Sequence, residues 1–175
     1  MRGDGLGFMR RSLAAVLLAV CLALPGPAHA SYEEALTAYE RGNFSLALQE
    51  FRALARRGHP GAEFMLGVMH FNGFGVSRDT VLAAIYFRQA AEQGEPGAQL
   101  AFGSLHIRGI GVFQNLVEAR KWFGICARGN SPEIARQANA LIGVTATLMT
   151  AEEITRADQG AARWRPVRAG LVRGQ

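Results

Sequence analysis

The sequence predicts an all-α protein, an α-α solenoid of stacked helix-turn-helix units, and three observations carry that reading. The 72 residues from Pro60 to Ser131 consist of one 36-residue pattern written twice. Within each copy the apolar and small residues recur at helical spacing. A glycine-rich turn interrupts both copies at the same place. A fixed period of this length marks an array in which each unit buries its apolar face against its neighbours.

The chain has 175 residues and a formal net charge of +5. Its first 30 residues read as a signal peptide. Arg2, Arg10 and Arg11 precede an uncharged apolar run from Leu13 to Leu24, and Pro25-Gly26-Pro27 leads into Ala28-His29-Ala30. This is a basic segment, a short apolar core and a small-residue cleavage site. The run is shorter than the ~20 residues needed to span a bilayer, so no stable membrane anchor is expected. A lipoprotein signal centred on Cys21 would want a small residue before it, and Val20 is not small. The expectation is an exported protein, periplasmic or secreted, cleaved after Ala30. Cleavage removes Arg2, Arg10, Arg11 and Asp4, which lowers the net charge from +5 to +3. With export, mild charge and no basic stripe interleaved with aromatics, nucleic acid is not an expected partner.

Residues 31–59 read as a shorter, tetratricopeptide-like helix pair. Ser31 and Glu34 stand in capping-box register. Ala35, Leu36 and Tyr39 give one apolar side, and Gly42-Asn43 turns the chain. Ala47, Leu48, Phe51, Leu54 and Ala55 then repeat the spacing of Ala83, Ala84, Phe87, Ala90 and Ala91.

Residues 60–95 and 96–131 are the two full copies. Pro60-Gly61-Ala62 returns as Pro96-Gly97-Ala98, Gly67 as Gly103, His70 as His106, Ala83 as Ala119 and Phe87 as Phe123. Ala62, Leu66, Gly67 and His70 form one stripe of the first helix. Gly67 and Gly103 each cost about 1 kcal/mol inside a helix, so a neighbouring helix is expected to press on them. Gly73, Gly75, Gly109 and Gly111 are expected to end the first helix and reverse the chain through backbone angles that other residues resist.

This pair resembles the Sel1-like repeat family, itself related to tetratricopeptide repeats. The first copy supplies Ala62, Leu66-Gly67, Gly73-Phe74-Gly75-Val76, Asp79, Ala83, Phe87, Ala90-Ala91 and Gly94. The second keeps this skeleton with Phe102 for the Leu, Asn115 for the Asp and Cys126 for the first Ala of the pair. Both place a histidine, His70 or His106, where the family has a tyrosine. The resemblance implies a right-handed superhelix and a role in holding other proteins. Cysteine-rich members of the family have been linked to β-lactam binding or hydrolysis. That property depends on paired cysteines bracing each repeat, which this chain lacks.

Residues 132–165 depart from the pattern and read as capping helices. Ile134, Ala138, Leu141 and Ile142 suggest a further first helix. Thr150 with Glu153 forms a second capping box ahead of Ile154, Ala157, Ala161 and Trp164, and Pro166 ends that helix. This completes four helix pairs. Residues 166–175 read as a disordered basic tail, a solvated and frayed end, with weak attraction to anionic lipid or polymer as the alternative.

No catalytic motif emerges, so the chain reads as a non-enzyme. The glycine turns lack a preceding strand and the Lys-Ser/Thr of a phosphate loop. Ser104 and His106 lie two apart on a helix and do not face each other. Cys126 is the one cysteine left after cleavage and reads as a small buried residue, with a reactive or pairing thiol as the alternative. His70 and His106 sit in equivalent places about 10 Å apart by analogy with helix packing. Two imidazoles are too few for a metal site, and His59 lies at a unit junction. No metal or cofactor is expected.

In such solenoids the first helix of each pair lines the concave wall. Residues off its packing stripe are Tyr32, Leu36 and Tyr39, then Phe64, Val68, Phe71 and Asn72, then Leu100, Ser104, Ile107 and Arg108. The expected partner is another protein, whose peptide or helix lies along the last eight of these. Burial of the same wall by the chain's own side chains is the structural alternative. The rival function is an envelope enzyme or a small-ligand or metal binder built on His70 and His106.

Overall fold

The computed structural model describes residues 31–167, so the expected signal segment lies outside the described residues. Among the described residues there are eight helices and no strand: α1 (Tyr32–Glu40), α2 (Phe44–Arg56), α3 (Pro60–Asn72), α4 (Thr80–Glu92), α5 (Pro96–Arg108), α6 (Leu116–Cys126), α7 (Pro132–Ala146) and α8 (Ala151–Arg163). None is long and apolar enough to cross a membrane.

Local chemistry sets where each helix starts. Asn43, Asp79 and Asn115 turn a side-chain oxygen onto the backbone N–H three residues on, satisfying a donor that the first turn leaves free. Ser31 with Glu34 and Thr150 with Glu153 form complete capping boxes. The helices α3, α5 and α7 begin on Pro60, Pro96 and Pro132, where the missing N–H costs nothing. Gly73 and Gly109 end α3 and α5 at φ of 79° and 65°, left-handed angles that side chains resist.

Packing runs between neighbours along the chain from α1 to α7, as a solenoid requires. One core cluster joins α1, α2 and α3 through Ala35, Phe51, Leu66 and Met69. A second joins α4, α5 and α6 through Phe87, Phe102, Leu105 and Trp122. A third places Ala119, Phe123 and Cys126 of α6 on Ala138 of α7. Each glycine turn fits the start of the previous outer helix. A Cβ on Gly75 would come 2.9 Å from Phe44 Cβ, and one on Gly111 would come 2.0 Å from the Thr80 carbonyl oxygen.

The end of the chain departs from expectation in two ways. The helices α7 and α8 do not form a fourth packed pair, because α8 lies along α6 instead. Small residues make the close approach: a Cβ on Gly124 would be 3.1 Å from Ala161 Cβ, and one on Gly160 would be 3.0 Å from Lys121 Cδ. The Arg120 guanidinium then spans all three helices. It donates to both Asp158 oxygens on α8, at 2.9 and 3.1 Å, and to the Ile142 carbonyl on α7 at 3.1 Å. The second departure concerns residues 166 and 167, read above as part of a frayed tail. The Val167 N–H donates to the Glu92 carbonyl at 2.8 Å, while Trp164 stands edge-on to Trp122 at 6.2 Å. Residues 168–175 lie outside the described residues.

Candidate functional site

The inner-helix residues singled out above fall on α3 and α5. Phe64, Val68 and Phe71 are half-buried and pack onto the α4–α6 core. Phe64 tilts against Phe87 at 5.7 Å and reaches the start of α5, where a Cβ on Gly97 would meet its ring at 3.1 Å. Phe71 lies 6.5 Å from Phe87, with the Arg78 guanidinium 5.7 Å from its ring centroid. Leu100 and Ile107 are also half-buried, alongside Ile134, Leu141 and Ile142 of α7 on the α6–α7 cluster. Asn72 and Arg108 are exposed at the turn end of the row. Ser104 Oγ donates to the Leu100 carbonyl, and Asn72 Nδ2 to the Val68 carbonyl. The row therefore has an apolar middle that the chain covers in part, and a polar edge.

The first unit offers less. Tyr32 stacks on His59 at 4.7 Å, and Tyr39 stands edge-on to Phe44 and Phe74 at 5.5 and 6.1 Å. Those rings already serve the α1–α3 core, and Leu36 packs with them.

The three histidines among the described residues have separate local roles. His59 Nδ1 accepts the Ala62 N–H and so caps α3. His70 is buried and stacks on Tyr86 at 5.7 Å, and its Nδ1 has no hydrogen-bond partner. Burial holds its pKa below the ordinary 6.5, the Arg52 charge adds to that, and Asp79 opposes it. His106 is half-buried, edge-on to Phe102 at 4.8 Å, with Nδ1 donating to the Phe113 carbonyl at 3.1 Å. Among the described residues no three of His, Cys, Asp and Glu gather into a metal-holding group. Cys126 is buried, its Sγ 3.5 Å from the Pro96 carbonyl, and burial pushes its thiol up to about 11.

A cleft of ≈ 780 Å³ separates the outer helices α4 and α6, with Phe102, His106 and Trp122 among its lining residues. Its position one unit earlier holds a hollow of ≈ 370 Å³ that includes Leu66 and Tyr86. The repeat pattern gave no hint of the difference in size, because that difference lies in what distinguishes the copies.

Comparison with known proteins fits this geometry. A model of the Sel1 repeat family matches residues 60–95 and 96–130. No curated protein matches the sequence. Among solved structures, the chain is similar to a protective antigen present in uropathogenic Escherichia coli strains and displaying an SLR fold. That match has 27% identity, a TM-score of 0.69, and coverage of 75% of this chain and 28% of the other. A Sel1 repeat protein from Oxalobacter formigenes matches in fold, at 23% identity and a TM-score of 0.62, covering 77% of this chain and 56% of that one. The chain thus spans well under two thirds of either. Hairpin boundaries, turn glycines and family match coincide, and residues 60–130 of this all-α solenoid are two consecutive Sel1 repeats.

Proposed function

We propose that this chain is an exported, non-catalytic interaction module of a bacterial envelope, an adaptor or regulator that holds a partner's peptide or helix in its concave groove. One observation carries the reading. Phe64, Val68 and Phe71 on α3, with Leu100 and Ile107 on α5, form a row of apolar side chains only half covered by the chain itself. Asn72 and Arg108 at its edge are exposed and would fix the partner's polar atoms, with Ser104 between. Sel1 repeats as a class support a binding role, and a half-covered apolar row edged by polar groups suits a peptide or an amphipathic helix.

The test is capture from envelope extract by the purified protein, read by mass spectrometry, beside a Phe71→Ala/Ile107→Ala variant shown to keep its helical circular dichroism. Partners retained by the wild type and lost by the variant are expected. An unchanged set of captured proteins would place the binding surface elsewhere.

A further inference from the structure

Two features of the α4–α6 cleft have no use within a single copy of the chain. One is the cleft itself, ≈ 780 Å³ in volume and within the range of binding pockets. Its floor is aromatic: Phe102 stands edge-on to His106 at 4.8 Å and to Trp122 at 5.6 Å. The other is Phe113, on the turn at the cleft's rim, which is 95% exposed. The His106 imidazole donates to its carbonyl, so the ring projects from an anchored backbone.

The preceding unit shows a smaller version of the same recess. There the hollow measures ≈ 370 Å³, with Leu66 and Tyr86 where the cleft has Phe102 and Trp122. One repeat later Ser77 becomes Phe113. The second unit has a wider recess and an aromatic ring standing in solvent beside it.

We propose that this cleft is a self-association site, in which two copies of the chain pair about a two-fold axis and each inserts Phe113 over the other's Phe102–His106–Trp122 floor. A two-fold interface brings one patch against itself, so it needs a projection and a matching recess side by side on that patch. A peptide ligand would account for the recess and leave the exposed ring unexplained. The charges agree with self-pairing. The rim carries Arg88 and Glu92 on α4, and Glu118 and Lys121 on α6, two of each sign. Arg88 pairs with Glu92 at 3.9 Å and Lys121 with Glu118 at 2.6 Å, so the rim carries no net charge and two such rims meet without net repulsion.

The test is sedimentation of the purified protein across a dilution series, with intrinsic tryptophan fluorescence followed in parallel. The expected result is a reversible monomer–dimer equilibrium with a change in Trp122 emission on dissociation. Phe113→Ala, which removes a solvent-facing ring, should leave the melting temperature unchanged. It should raise the dimer dissociation constant at least about tenfold and abolish the dilution-dependent fluorescence change. A benzophenone amino acid at position 113 should cross-link to residues 102–122 of an isotopically distinct copy. A protein monomeric at every concentration, or a dimer indifferent to Phe113→Ala, overturns the proposal. Cross-links confined to the same chain, to its residues 168–175, or to a different protein overturn it equally.

Discussion

Gly103 and Phe123 share one space: a methyl group on Gly103 would come within 2.6 Å of Phe123 Cε1, and Phe123 is fully buried. The same relationship joins Gly67 to Phe87 in the first repeat, again at 2.6 Å. The glycine is therefore a docking notch for the outer helix of its own hairpin, and its propensity cost is offset by ring burial.

Gly103→Ala is expected to destabilise the protein by about 1–3 kcal/mol, despite alanine's better helix propensity, because the Phe123 ring has nowhere to move. Urea unfolding checks this. Adding Phe123→Leu should give less than the sum of the two single losses, since the smaller side chain makes room for the methyl.

Arg120 holds α8 and α7 onto α6. Arg120→Ala and Asp158→Ala are each expected to cost about 1–3 kcal/mol. The second leaves a mostly buried guanidinium with only the Ile142 carbonyl. Hydrogen exchange should quicken across residues 151–163 in both variants, and a double-mutant cycle should show strong coupling. Protection unchanged in α8 would mean that its other contacts, among them the small-residue approach and the Arg128 bond to the Ala161 carbonyl, suffice to hold it.

His70 gives a pH dependence of definite sign. Burial favours the neutral ring in the folded protein, whereas the unfolded chain takes up its proton near the ordinary 6.5. Stability from this group is complete above 6.5 and falls as the pH drops below it. His70→Phe should remove that component, so its urea midpoint should decline less than that of the wild type between pH 7 and about pH 5. Parallel declines would show that other groups set the acid limb.

Cys126 should be inert while the protein is folded. With its thiol pushed up to about 11 and its side chain buried, little thiolate is available at neutral pH. The Cys126 thiol is expected to react with a thiol reagent readily in denaturant and far more slowly in buffer.

Much of this architecture was legible in the sequence, because the repeat states it twice. The helix starts at Pro60 and Pro96, the left-handed glycines, both capping boxes and the buried stripe through Ala62, Leu66, Gly67 and His70 all follow from local rules. Met65 and Met69 also prove buried, since α3 is pressed from both sides and the single-stripe reading was too narrow. The features that escaped notice are those that break the period. Arg120 replaces Ala84 and Gly124 replaces Arg88, and together they accept α8. The exposed ring of Phe113 escaped for the same reason, standing in place of Ser77. A repeat identifies a fold by what recurs, whereas the particular chemistry of one chain lies in what differs.

The hydrogen bond from Val167 back to Glu92 has a further consequence. An array held by adjacent contacts alone would peel open one hairpin at a time. Here a strap crosses from beyond the last helix to the middle of the stack, so loosening α4 also loosens the clasp that keeps the terminus in place. The second half of the molecule should accordingly melt as one body.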